Sequence, residues 1–304
     1  MLVLHTFKTS EYVVFDKQEG NKMRTIYKLP YYPDRIVQWA ILQVIEPYLI
    51  KTFISQTYSA IPGRGTHKAL RTIRNDIVRD PDGCQWCYKF DIHHYYQSIN
   101  HDLLMNDWNR LFKDKDLLIA INEITRSVST SEISGVGIPI GNYLSQYSGN
   151  LFLSKLDHFC KEILRLEHYY RYMDDIVILE QSKEKLWKIK HYIDKLLKEM
   201  KLTIKSNWQI FSTYKRGIDF VGYRIYKDYV LVRKTTATKA KKKLNKINEK
   251  SQFSEHDNGV IASYYGIVTH CDTYNFLNKY FCPLLENDRL KGKIRNNLLQ
   301  TKIA

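Results

Sequence analysis

The sequence predicts an α+β protein, with strands and helices in mixed order rather than a βαβ repeat. Three stretches carry this expectation. From Trp86 to Ile92 the residues alternate: Trp86, Tyr88, Phe90 and Ile92 point one way, Cys87, Lys89 and Asp91 the other. That is the period of a strand with one packed face. Ile176 to Leu179 is wholly apolar, as expected of a strand central in a sheet. Leu186, Ile189, Ile193, Leu196, Leu197 and Met200 fall on one face at helical spacing, with lysines opposite.

The remaining elements follow in chain order. Asp34 is expected to open and cap a helix carrying Ile36, Val37, Ala40, Ile41, Val44 and Ile45, with Pro47 ending its first stretch. A loop at Ile61-Pro62-Gly63-Arg64-Gly65-Thr66 precedes a short helix from His67. After Gly141 a long helix should run from about Leu144 to Leu164. Two strands flank Tyr172-Met173-Asp174-Asp175, and Ser182 caps the lysine-faced helix. A strand pair is expected between Ile218 and Val232. The segment Arg233 to Lys250 then holds eight Lys or Arg against one acid, Glu249.

Composition narrows the partners. The 304 residues are 44% hydrophobic and 26% charged, enough apolar content for a sizeable core. Net charge is +15, from 47 Lys plus Arg against 32 Asp plus Glu spread along the whole chain. Such an excess suits a polyanion, because each phosphate neutralised releases counterions; general surface solubility is the competing explanation. The 23 tyrosines include Tyr95, Tyr96, Tyr143, Tyr147, Tyr169, Tyr170 and Tyr172, which suit either base stacking or the core.

Cys84, Cys87, Cys160, Cys271 and Cys282 form an odd, sparse set that fits a reducing, cytoplasmic setting. Cys84 and Cys87 have CxxC spacing, but a structural zinc site needs a second pair. His5, Lys8 and Glu11 break up residues 1–15 and argue against a secretory leader. The sequence has no uninterrupted apolar run of about 18 residues, so no membrane partner is expected.

The chemistry is concentrated in carboxylates. Asp is a poor strand former, and adjacent like charges repel, so Asp174-Asp175 between Tyr172 and an apolar strand calls for neutralising cations. An ordinary surface turn is the alternative. Mg²⁺ takes oxygen ligands and keeps positions open for phosphate and water. Two such ions about 3.5–4 Å apart activate a 3′-hydroxyl and stabilise a leaving pyrophosphate. Asp91 is the natural third carboxylate.

At these residues the chain resembles the reverse transcriptases, across nearly its whole length. Tyr172-Met173-Asp174-Asp175 is similar to their YxDD box, and Asp91-Ile92-His93-His94-Tyr95-Tyr96-Gln97-Ser98-Ile99 resembles the block with the first catalytic aspartate. The resemblance implies a right-hand polymerase fold: fingers over 1–85, palm over 86–234 with a fingers insertion at about 101–136, and a small helical thumb over 235–304. It implies Asp91, Asp174 and Asp175 as catalytic metal ligands, with Ile92 in the metal set, holding two Mg²⁺ or Mn²⁺ in their stead. Tyr96 would stack under the incoming sugar and exclude a 2′-hydroxyl. Lys22 and Arg24 look like the clamp on the triphosphate, and Lys205 sits where a lysine nears the pyrophosphate, although a solvated lysine reads the same way. Tyr172, Met173 and Gln146 would face primer and template. Ile218-Asp219-Phe220-Val221-Gly222-Tyr223 resembles a primer-grip hairpin, with Phe220, Val221, Gly222 and Tyr223 at the primer end. Arg233 to Lys250 suits a thumb helix on the template–primer backbone, or a solvated helix.

Gly137-Ile138-Pro139-Ile140-Gly141-Asn142-Tyr143-Leu144-Ser145-Gln146 refines the expectation. Where most of the family reads QGxxxSP, this chain reads IGNYLSQ, similar to the reverse transcriptases of diversity-generating retroelements. Those enzymes copy a template RNA into cDNA with errors opposite adenine. An apolar Ile140 in the glutamine position would relax pairing at the nascent base pair, with Gly141 beside it; simple packing of Ile140 is the plainer reading. Template RNA, primer or cDNA, dNTPs and a basic accessory protein are the implied partners. A retron or phage-defence enzyme, or a catalytically silent polymerase-like RNA-binding protein, remains an alternative.

Overall fold

The computed structural model describes residues 6–19 and 22–286. These fall into two compact units, one formed by 6–69 and 86–211, the other by 70–85 and 212–286.

The first unit opens with an antiparallel hairpin, β1 (Val13–Glu19) and β2 (Lys22–Lys28), in register from Val13 opposite Lys28 to Glu19 opposite Lys22. Helix α1 (Ile36–Thr52) follows a π-helical turn at Tyr31–Arg35. Two expectations are corrected here. Asp34 does not cap α1: it is fully buried, and its Oδ1 accepts the Ser10 N–H at 3.0 Å. Long-range demand for the carboxylate outcompetes local capping. Nor does Pro47 end the helix, which runs on to Thr52. The ring faces solvent, while Ile45 and Leu49 on either side are 1% and 0% exposed and hold α1 in place. Burial there offsets the hydrogen bond that proline removes.

The central sheet has strand order β4-β5-β3-β6, from β3 (Trp86–Asp91), β4 (His168–Tyr172), β5 (Asp175–Glu180) and β6 (Gln209–Ser212). Both β3 and β4 run antiparallel to β5. Apolar β5 is interior as expected, with Ile176, Val177, Ile178 and Leu179 at 0–1% exposure. The alternation in β3 holds in part: Tyr88, Phe90 and Ile92 enter the core and Lys89 and Asp91 are partly buried on the other face, but Cys87 on that face is fully buried and Trp86 is only partly so. Against the core side packs α7 (Lys183–Glu199), whose Leu186, Ile189, Ile193, Leu196 and Leu197 are buried. Ser182 caps it by accepting the Lys185 N–H at 3.1 Å.

Helix α2 (Thr66–Arg79), at 14 residues, is longer than the short helix expected, and carries the chain from the first unit into the second. The short α3 (Tyr95–Ser98) leads to α4 (His101–Leu111) and α5 (Lys115–Arg126), capped by Asn100 and Asp114. Helix α6 (Tyr143–His158) continues as a π-helical turn through Ile163. It is buried on nearly all sides, polar residues Ser145, Ser148, Asn150, Ser154 and Asp157 included.

In the second unit the expected strand pair is a three-stranded antiparallel sheet: β7 (Ile218–Phe220), β8 (Tyr223–Ile225) and β9 (Val230–Val232). The third strand turns back through 226–229, where Tyr226 and Tyr229 stack at 4.5 Å. Helices α8 (Lys234–Asn248), α9 (Glu255–Val268) and α10 (Tyr274–Tyr280) enclose a separate core around Leu244, Ile261 and Phe281. The basic segment is thus a helix with one apolar stripe, and a Ser254–Asp257 capping box starts the next. The five cysteines are free thiols, Cys84 and Cys87 buried. Among the described residues no helix is long and apolar enough to cross a membrane.

Candidate active site

The site is assembled by main-chain hydrogen bonds at the ends of β3 and β5. The register sets Asp91, last in β3, opposite Asp175, first in β5. Asp174 occupies the turn joining β4 to β5, just after Met173, whose φ of +53° is left-handed. The N–H of Ile92 reaches back to the Asp174 carbonyl at 3.3 Å, and the Asp91 carbonyl accepts the Lys205 N–H at 2.9 Å. A second bond, His93 N–H to the Thr203 carbonyl at 2.8 Å, holds the segment bearing Lys205 against the end of β3. Three expected residues, Asp91, Asp174 and Lys205, are therefore tied by backbone, and the Ile92 side chain lies in the core at 2% exposure.

The electrostatics fit a cation site. Burial pushes the Asp175 carboxyl up to about 7, opposed by Lys89 and reinforced by the charges of Asp91 and Asp174. Its side chain is 22% exposed overall, but Oδ1 is enclosed and accepts no hydrogen bond. Lys89 Nζ lies 3.2 Å from both oxygens and donates to Oδ2. A carboxylate oxygen enclosed from solvent, with the Lys89 ammonium 3.2 Å away and the charges of Asp91 and Asp174 acting on its carboxyl, is oxygen-donor chemistry of the kind Mg²⁺ or Mn²⁺ takes. Asp174 and Asp175 would hold such ions with Asp91.

Tyr96 lies against this turn, its hydroxyl 3.5 Å from Met173 Sδ. Burial, then the Asp174 charge, raises its phenol above the ordinary range, and Arg24 on β2 acts in the opposite sense. Arg24 is thus electrically coupled to the Tyr96 hydroxyl while itself exposed to solvent. The Lys22 side chain lies outside the described residues.

The β1–β2 hairpin is fastened to the Ile140 loop. Tyr27 N–H donates to the Ile140 carbonyl at 3.0 Å. Gly141, at φ +124°, approaches so closely that a Cβ there would stand 2.7 Å from the Tyr27 carbonyl oxygen. Asn142 is buried and donates to the Tyr12 hydroxyl at 2.9 Å, which in turn meets Ser127 Oγ at 2.8 Å. Ile140 is partly exposed, and Gln146 is exposed on α6.

Phe220, Val221, Gly222 and Tyr223 belong to the second unit. They form the tight β7–β8 turn, with Val221 at φ +45° and Gly222 at +93°. Phe220 and Tyr223 are buried at 0% and 2%. The Gly222 carbonyl accepts the Arg233 N–H at 2.9 Å, and Arg233 Nε donates to Asp219 at 2.7 Å.

Sequence reasoning missed Lys89, Arg171 and Asp157. Lys89 was within reach, since period-two parity puts it on the face of Asp91. Arg171, 0% exposed in β4, was signalled only by being a cation in a buried strand. Its partner Asp157 lies on another element.

The fold is that of the right-hand polymerases, a mixed helical and antiparallel-sheet architecture. A structure of telomerase from Candida albicans in complex with a TWJ fragment of telomeric RNA aligns with a TM-score of 0.61. It is 12% identical, over 98% of this chain and 62% of the other. Residues 16–225 match the family described as reverse transcriptase (RNA-dependent DNA polymerase), and the chain belongs to that family. Protein YkfC of Escherichia coli is 23% identical over 73% of this chain and 54% of its own length. The group II intron-encoded protein LtrA of Lactococcus lactis is 25% identical over 64% of this chain and 32% of its own. The chain thus spans about half of YkfC and a smaller part of LtrA.

Proposed function

We propose that this chain is an RNA-directed DNA polymerase that copies template RNA into cDNA by two-metal nucleotidyl transfer, of the error-prone type found in diversity-generating retroelements. The observation that carries the polymerase reading is the β3–β5 register, with Asp91 opposite Asp175 and Asp174 in the adjoining turn. Bound at these carboxylates, Mg²⁺ or Mn²⁺ would lower the pKa of the primer 3′-hydroxyl and neutralise the leaving pyrophosphate. The protein's own residues do the rest. Tyr96 closes the space beneath the sugar, and its half-buried ring has little room to yield to a 2′-hydroxyl. Lys22 and Arg24 hold the triphosphate, with Lys205 near the pyrophosphate. Ile140 and Gly141 meet the nascent pair. Tyr172, Met173, Gln146 and the turn Phe220–Tyr223 guide primer and template.

In this reading residues 1–85 serve as fingers, 86–234 as palm with the insertion at about 101–136, and 235–304 as thumb. Template RNA, primer, dNTPs and a basic accessory protein are the partners. The retroelement subtype rests on Ile140-Gly141-Asn142 with Ser145-Gln146. The similarity to LtrA supports a second reading, an enzyme of intron type.

Primer extension on poly(rA)/oligo(dT) tests the activity. Wild type should incorporate dTMP with Mg²⁺ or Mn²⁺, and Asp174→Ala should lose ~10³-fold or more, about 4 kcal/mol of transition-state stabilisation. Equal incorporation by both proteins would defeat the polymerase reading. Sequencing cDNA made from a defined RNA tests the subtype, which requires errors concentrated opposite adenine.

A further inference from the structure

Behind the Tyr172–Asp175 turn lies an ion pair with both side chains 0% exposed, Arg171 on β4 and Asp157 on α6. The two planar groups meet through paired bonds, Arg171 Nε to Oδ1 at 2.7 Å and Nη2 to Oδ2 at 2.6 Å. Asp157 also accepts the Tyr169 hydroxyl at 2.7 Å and the Thr57 hydroxyl at 2.9 Å. Arg171 spends its remaining donors on Asn150 (Oδ1 at 3.1 Å, carbonyl at 3.4 Å) and, through Nη1, on the Met173 carbonyl at 3.1 Å. Asn150 is itself fixed by donating to the Ser59 carbonyl at 2.8 Å.

Taking two charges out of water is costly, and an uncharged pair of similar volume would hold the fold about as well. What the charged pair adds is a fixed position for its neighbours. It reaches the turn through the Met173 carbonyl, in the peptide leading into Asp174. The next carbonyl, that of Asp174, accepts the Ile92 N–H at 3.3 Å. Two successive peptide carbonyls of the turn are thus each held by a hydrogen bond, one from Arg171 and one from Ile92.

We infer that Arg171 and Asp157 are positioning residues: their buried pair grips the Met173 carbonyl and so aims Asp174 and Asp175 at a shared divalent cation. The inference rests on the reading of those aspartates as metal ligands. A displacement of about 1 Å at such a centre costs on the order of 100-fold in rate.

Two variants of the full chain test it. Arg171→Met with Asp157→Asn removes both charges and keeps an acceptor for Tyr169 and Thr57. Arg171→Lys keeps a cation beside Asp157 but gives up the planar fork that also reaches Met173. The readouts are thermal midpoint, Mn²⁺ affinity by EPR titration without nucleic acid, and primer-extension kcat and KM. At least one variant should melt within ~3 °C of wild type. That folded variant should bind Mn²⁺ ~10-fold more weakly and lose ~10–100-fold in kcat, with KM for dTTP within about twofold. A folded variant with wild-type Mn²⁺ affinity would overturn the positioning role. So would Mn²⁺ affinity that falls only in proportion to unfolding. If wild type binds Mn²⁺ but extends no primer, the polymerase reading fails and the Mn²⁺ arm alone judges the positioning role. If wild type binds Mn²⁺ no better than Asp174→Ala, the metal reading and the positioning role fall together.

Discussion

Gly141→Ala adds one carbon at the point where the β1–β2 hairpin meets the Ile140 loop. At φ +124° the new Cβ would stand 2.7 Å from the Tyr27 carbonyl oxygen, a main-chain atom that cannot swing aside. A side chain in left-handed backbone costs roughly 1–2 kcal/mol, and forcing atoms into a packed site costs about 1–3 kcal/mol. If β2 retreats, the Tyr27–Ile140 hydrogen bond contributes about 1 kcal/mol less. A total of about 3–6 kcal/mol lowers the melting midpoint by roughly 6–24 °C for a unit of this size. Because β2 carries Arg24, the retreat should also raise KM for dTTP severalfold while changing kcat less. Calorimetry and single-nucleotide primer extension measure both. A midpoint within ~2 °C of wild type together with an unchanged KM would show that the hairpin is not fastened in this way.

Three further outcomes are expected. Tyr96→Val should lower discrimination against ribonucleotides by ~10–100-fold, read as the ratio of kcat/KM for dTTP and UTP, whereas an unchanged ratio would remove the tyrosine from sugar selection. Ile140→Gln should reduce misincorporation opposite template adenine by ~3–10-fold in sequenced cDNA; an identical error spectrum would leave Ile140 as packing alone. Asp107 on α4, 16% exposed and 3.7 Å from Arg110, is pushed by burial from its ordinary 3.8 to about 6. Because the folded value is raised, its contribution to stability is complete below about pH 4 and lost as pH rises through 6. Asp107→Asn should therefore melt ~2 °C higher than wild type at pH 8 and alike at pH 4, and the opposite pH order would refute the assignment.

The sequence was legible where one local period governed. Strand β3 turns Tyr88 and Phe90 to the core at period two, β5 is apolar because it is interior, and Ser182 caps α7 by accepting the Lys185 N–H. The meeting of Asp91 with Asp175 across the sheet was legible because each sits at the end of a strand whose residues can be read from their pattern. Reading failed where a distant group claimed a side chain. Asp34 serves Ser10 instead of its helix, and Pro47 is carried by burial on either side. A cation in a buried strand signals that Arg171 needs a partner, but nothing local says that the partner is Asp157 on another element.

The loop at 56–58 runs parallel to β4 at Arg171, where Arg171 donates to the Gln56 carbonyl and accepts the Tyr58 N–H, each at 3.0 Å. An open strand edge invites a stranger's backbone to add to the sheet. Here the middle of that edge is already taken, so a neighbouring molecule seeking to zip onto β4 must first peel away a piece of this chain's own backbone. The strand that leads into the Tyr172–Asp175 turn is thereby covered on its outer edge at Arg171 by the chain's own backbone.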